Sequence, residues 1–183
     1  MTTAPLPSPA IPWGDAGETL PLGLPAGWAA EVIRPDLSGA LADYPVALAA
    51  ALDAPEGCPR LDDLVRPGST VALVVDDPSR WTPVREALPP ILDRLAAAGV
   101  RPSDVTVSVG VGRHHAVDPE AMRRRVGDAV ADRFRCFSPP LDDLSAYTDL
   151  GTTPDGLPVR VFGPVAGADL RVLVGSVLPH LQA

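Results

Sequence analysis

Three β-branched runs in this chain end the same way, in a polar loop. Val71-Ala72-Leu73-Val74-Val75 runs into Asp76-Asp77-Pro78-Ser79-Arg80, and Val105-Thr106-Val107-Ser108-Val109 into Gly110-Val111-Gly112-Arg113-His114-His115. Leu170-Arg171-Val172-Leu173-Val174 runs into Gly175 and then Pro179-His180. Between the first two runs, Leu88, Ile91, Leu92 and Leu95 recur at helical spacing, which predicts a helix over 83–98 with Gly99 at its C′ position. Asp118 caps a second predicted helix, with Pro119 at its first position, reaching to about Val130. Residues 133–137 and 157–162 read as strands, and a short turn around 166–168 precedes the last strand. Strands separated by helices of this length pair in parallel through right-handed crossovers. The expectation is an α/β fold, a mostly parallel open sheet with helices on both faces, Rossmann-like or flavodoxin-like.

The first part of the chain has little periodicity. Residues 1–19 predict a flexible Pro-rich arm, and 20–183 a single α/β domain. A short edge strand is expected over 20–25, where the prolines forbid more. A helix is expected over 37–52, capped by Ser38, or from Asp43 because Pro45 interrupts the pattern. Residues 61–65 read as one helical turn.

Composition narrows the function. Aromatic residues are 4% against 46% hydrophobic, so the core must be mostly Val, Leu and Ala. The net charge of −8 argues against nucleic acid as a partner, since no basic stripe can track phosphates. Arg123-Arg124-Arg125 reads as a solvated helix face among acidic neighbours. No stretch approaches the length of a membrane span, and residues 1–12 lack the basic and apolar regions of a signal peptide. Cys58 and Cys136 are far apart with no metal-ligand spacing, so neither a disulfide framework nor a metal site is expected, and Cys136 reads as a small core residue. These points together predict a cytoplasmic protein.

If the three strands lie parallel, their loops share the carboxyl edge, where open α/β sheets bind ligands. One Asp, two Arg and every histidine of the chain then converge on it. A guanidinium such as Arg80 holds a carboxylate bidentately, while the carboxylate before it accepts from a hydroxyl. Two glycines after a strand permit close approach, and an imidazole there takes or gives a proton near neutral pH. Each segment also has a plain structural reading: a helix-capping loop, a surface histidine pair, a tail residue.

Val74-Val75-Asp76-Asp77-Pro78-Ser79-Arg80-Trp81-Thr82-Pro83 resembles the D-x-[ST]-R-P-x-P loop of the nickel-pincer-nucleotide lactate racemase family. Gly112-Arg113-His114-His115 resembles that family's G-x-H-R loop, and Asp118-Pro119-Glu120 the helix start that follows it. Residues 150–159 resemble its G-T-x-x-G-x-P-V segment, and residues 169–180 its closing segment ending in Pro-His. The matches stand in family order.

The resemblance implies the amino-terminal domain of a longer two-domain enzyme that racemises or epimerises a small 2-hydroxy acid of the lactate type. Its cofactor is a nickel ion held by a modified pyridinium nucleotide. Carried over, His114 and His180 exchange the hydroxyl proton from opposite sides of the substrate. Arg80 clamps the substrate carboxylate, and Asp77, Ser79 and Gly112 position the cofactor. Partners would be the substrate and the C-terminal domain of the same protein.

Trp81 stands where the family has Pro, and His115 where it has Arg. The cofactor-bonding lysine and the nickel-ligating histidine of the family are not among residues 1–183. The fragment is therefore expected to bind no cofactor and to be inactive alone. The competing expectations are a non-catalytic carboxylate- or nucleotide-binding α/β module, or a subunit of a split enzyme.

Overall fold

The computed structural model describes residues 9–13, 18–28, 30–31, 33, 36 and 38–178. Contacts divide the chain into two units, Met1–Leu41 and Ala42–Ala183. In the first, strands β1 (Ala10–Trp13) and β2 (Glu18–Pro21) pair antiparallel, Ile11 opposite Leu20. A strand pair thus stands partly within the segment expected to be an arm. β2 is shorter than the expected 20–25 strand and shifted toward the amino terminus.

The second unit opens with helix α1 (Tyr44–Asp53). Its N-cap is Asp43, whose carboxylate accepts from the Val46 N–H at 3.1 Å, so the later of the two expected starts is the one adopted. Pro45 falls in the first turn, where its missing N–H costs nothing. A 3₁₀ turn, Leu61–Leu64, follows.

Then comes the α/β alternation: β3 (Val71–Asp76), α2 (Val84–Ala97), β4 (Val105–Gly110), α3 (Pro119–Val126), α4 (Asp128–Arg133) and β5 (Arg135–Phe137). An antiparallel pair, β6 (Tyr147–Thr152) with β7 (Pro158–Phe162), is followed by the single turn α5 (Gly163–Ala166) and the strand β8 (Leu170–Val174). The four-stranded sheet has the order β5-β4-β3-β8, and every pairing in it is parallel. The expected α/β class and parallel sheet are what the chain forms.

Strand alternation sorts the side chains. Val71, Leu73 and Val75 of β3 and Val105, Val107 and Val109 of β4 join Leu88, Ile91, Leu92 and Leu95 of α2 in one core. Met122 and Val126 of α3 and Val130 of α4 complete it. Each such Val, Leu or Ile contributes about 1.5–3 kcal/mol on full burial. On the opposite face Ala72, Thr106 and Ser108 are buried, and α5 lies against β3 and β4. Phe137 of β5 meets Phe162 of β7 edge-on at 5.8 Å, and Phe162 meets Tyr147 of β6 at 5.9 Å.

The helix expected to run to Val130 is interrupted. Gly127 adopts φ 86° and ψ 151°, which ends α3 and starts α4. The strand expected over 157–162 forms as β7, Pro158–Phe162, but outside the main sheet. Cys136 is half-buried beside the core, and burial pushes its thiol pKa up.

Candidate active site

The chain passes from β3 through α2 to β4 and on to β5, then returns to place β8 on the other side of β3. The connection that leaves β3 runs toward β4, away from β8, so the strand order reverses between β3 and β8, and the crevice between their carboxyl ends is the switch point where open sheets bind ligands. The loop after β3 holds Asp76 to Pro83, and β8 delivers Gly175 to Leu178 beside it. The loop after β4 holds Val111 to Val117, since Asp76 and Gly110 are register partners.

Asp77 turns the β3 loop. Its Oδ1 accepts from the Ser79 N–H at 2.7 Å, and its carbonyl accepts from the Arg80 N–H at 3.1 Å. This Asx turn is what an Asp before Pro and Ser favours. The other carboxylate oxygen, Oδ2, lies 2.9 Å from Nδ1 of His114. A carboxylate only accepts, so Nδ1 carries the proton and Nε2 is left as the basic nitrogen.

Asp77 is 6% exposed, whereas the His114 side chain is 54% exposed, so the carboxylate is sheltered and the imidazole faces outward. Burial pushes the Asp77 pKa up, but the hydrogen bonds from Ser79 and His114, with the imidazole's charge, outweigh it. The net result lies below the ordinary carboxylate value. Gly112, at φ 56°, gives the β4 loop the left-handed residue its turn needs, and the His114 N–H donates back to the Val111 carbonyl at 2.9 Å.

Asp77, Ser79, His114 and His115 line one open cleft of about 440 Å³, with Val117 and the start of α3 also in its lining. His115 also lines an adjoining cleft with Asp142 and Asp143. Arg80 is exposed at the same edge, outside the lining of either cleft. Trp81 beside it is 94% exposed. His180 lies outside the described residues. Among the described residues no three His, Cys, Asp or Glu side chains group to hold a metal, and no helix is long and apolar enough to cross a membrane.

A second set of side chains at this edge was not legible as a site. The Arg125 side chain is 10% exposed and reaches across from α3 to the β3 loop. Its Nε donates to the Asp76 carbonyl at 3.1 Å, and its Nη1 to the carbonyls of Arg80 and Thr82 at 3.0 and 3.1 Å. Its Nη2 pairs with Oδ1 of Asp76. The Thr82 hydroxyl donates to Oδ2 of Asp76 and meets the Ser176 hydroxyl. The single hydroxyl proton of Thr82 is then committed, so Ser176 is the donor between them.

The solvated reading of the arginine run holds for Arg123, which pairs with Asp128 and Asp132, and for Arg124, which pairs with Glu120. It fails for Arg125. Helical spacing carries the reason: Arg125 follows the buried Met122 by three positions and precedes the buried Val126, so it sits at the margin of the inward face.

Residues 16–183 match the family model of the lactate racemase N-terminal domain. The chain belongs to that family. The motifs that suggested it in the sequence are thereby placed in their proper fold. Over 133 residues the chain is 25% identical to the lactate racemase of Thermoanaerobacterium thermosaccharolyticum, covering 73% of this chain and 31% of that protein. It shares its fold with the lactate racemase apoprotein structure from the same organism. The TM-score is 0.68 at 23% identity, over 90% of this chain and 37% of that one. The chain thus spans about a third of the length of the relatives it matches.

Proposed function

We propose that this domain forms one wall of the active site of a 2-hydroxy-acid racemase or epimerase of the lactate type. In this reading it works with a nickel-pincer nucleotide and with the C-terminal domain of the same protein. The observation that carries the reading is the buried Asp77 holding Nδ1 of the outward-facing His114 at 2.9 Å, at the carboxyl edge of a lactate racemase N-terminal fold. A carboxylate behind an imidazole fixes its tautomer and orientation and leaves Nε2 as a general base.

His114 Nε2 takes the proton of the substrate hydroxyl as the substrate becomes a keto acid, and returns it when the hydroxyl re-forms. His180, on the segment that follows β8, serves the mirror-image substrate in the same way. Arg80 binds the carboxylate that both enantiomers share, and a guanidinium fork suits it. Asp77 acts first on His114, because both its oxygens already accept a hydrogen bond.

The cleft fits the polar edge of a nucleotide through the exposed Ser79 and the imidazoles, and Gly112 leaves open space above the β4 turn. When bound, the nickel-pincer nucleotide supplies the acceptor, and afterwards the donor, for the hydride at the substrate's C2. We read residues 1–183 alone as insufficient for turnover.

The test is racemisation of a panel of 2-hydroxy acids by the complete polypeptide loaded with cofactor, followed by chiral chromatography. His114→Ala and Arg80→Ala are expected to lower it by about a hundredfold or more while leaving the fold intact by circular dichroism. Wild-type rates in His114→Ala overturn the assignment. Turnover by residues 1–183 alone overturns the claim of insufficiency.

A further inference from the structure

Four of the five N–H donors of Arg125 are engaged, and all four go to one loop. Three of the acceptors are main-chain carbonyls, which the identity of the loop's side chains cannot change. The loop they hold carries Asp77 and Arg80. The helix that carries Arg125 continues directly from the loop of His114. Through Asp76 and Thr82 the same constellation reaches Ser176, on the segment that leaves β8 toward His180. One guanidinium therefore joins the three segments that meet at the switch point.

We propose that Arg125 is a positioning residue of this edge. It fixes the backbone under Arg80 against the helix that follows His114 and, by way of Asp76, Thr82 and Ser176, aligns the segment that leads to His180. It touches no substrate, and it acts by keeping the Arg80 guanidinium and the His114 imidazole at constant separation. The proposal rests on the racemase reading of the edge. A bare positive charge cannot replace it, because Lys offers no planar fork able to reach carbonyls on both sides of the loop.

The experiment uses the complete protein and reads amide exchange before activity. The Arg80 N–H donates to the Asp77 carbonyl at 3.1 Å and the Val84 N–H to the Thr82 carbonyl at 2.8 Å, so both report the loop. In cofactor-free Arg125→Ala and Arg125→Lys alike, exchange at Arg80 and Val84 is expected to accelerate on the order of tenfold, with core strands unchanged. Loaded with cofactor, both variants are expected to lose on the order of a hundredfold in kcat/KM, the cost of an ångström-scale misplacement. Millimolar guanidinium is expected to restore the Ala variant and not the Lys variant. Thr82→Val removes the acceptor of Ser176 but keeps the carbonyl held by Arg125. It is expected to lower kcat/KM several-fold with Arg80 exchange unchanged. Should Arg125→Ala fail to fold, Arg125→Gln is read in its place, with faster exchange expected.

Wild-type exchange at Arg80 and Val84 in these variants overturns the proposal. So does a Lys variant with wild-type kcat/KM. If that occurs while His114→Ala is inactive, the racemase reading stands without the clamp. If exchange accelerates but His114→Ala racemises normally, the clamp stands and the racemase reading falls.

Discussion

The two ends of the parallel sheet are built from the same residue types and do different things. At the amino edge Asp169 accepts from the Thr70 N–H and hydroxyl at 2.8 and 2.9 Å, and the Thr70 carbonyl accepts from the N–H groups of Asp169 and Leu170. Asp104 takes a two-pronged bond from Arg101, at 2.7 and 3.1 Å. A cleft of about 300 Å³ lies there too, lined by Thr70, Asp104, Thr106 and Arg135. Yet the Asp169 bonds knit the entries of β3 and β8 together, and Asp104 binds a residue three positions away. At the carboxyl edge Asp77 holds an imidazole brought in by a different strand and leaves its second nitrogen facing outward. A cavity and a carboxylate do not distinguish the two edges. What a carboxylate holds, and whether that partner keeps a reactive atom exposed, does.

The sharpest way to break this contrast is at the imidazole. His114→Ala in the cofactor-loaded protein is expected to lower kcat/KM by about 10²–10⁴-fold, the usual contribution of a general acid-base group, measured by chiral chromatography. Asp77→Asn keeps the shape but no longer commits Nδ1 to carrying the proton. A loss of about 10–100-fold is expected, with the pH dependence of kcat/KM displaced. Asp169→Ala is the amino-edge counterpart. It leaves the Thr70 N–H and hydroxyl without their acceptor, so a lower midpoint in urea unfolding is expected with kcat/KM unchanged. A hundredfold loss of activity there would erase the distinction between the edges.

The smallest effect concerns pH. Asp77 has its folded pKa below the ordinary value of 3.8, so its contribution to stability is complete above that value and is lost as pH falls through the folded pKa. Between pH 5 and about 2, wild type should therefore lose slightly more unfolding free energy than Asp77→Asn.

The parallel sheet was legible because β3 and β4 are mostly buried and β8 turns Leu170, Val172 and Val174 to the core, and β-branched residues there leave a run that little else explains. The boundaries of α1 and α2 followed from Asp43, Pro45 and Gly99 for the same reason: capping and turn chemistry is local. β6 was not legible. Its residues are almost all exposed, so no burial imprinted an alternation on Tyr147–Thr152. The break at Gly127 was hidden because a single glycine inside a helical pattern is common enough to pass unnoticed. At the site, His114 and Asp77 could each be named, but not their bond, which joins residues 37 apart. Arg125 was lost because two neighbours of the same type do face solvent, and a run of like charges conceals the one member that turns inward.

The Thr82–Ser176 contact joins positions 94 residues apart, and the intervening chain includes every later strand of the sheet. Closing so long a loop costs entropy that only a nearly finished fold can offset. The pairing of β3 with β8 closes the same loop, so the polar constellation at the switch point is expected to assemble only with that pairing, after the more local contacts of β3, α2 and β4. A partly folded chain would hold its aliphatic interior well before it possessed a competent rim, which separates the time at which this domain becomes compact from the time at which it becomes useful.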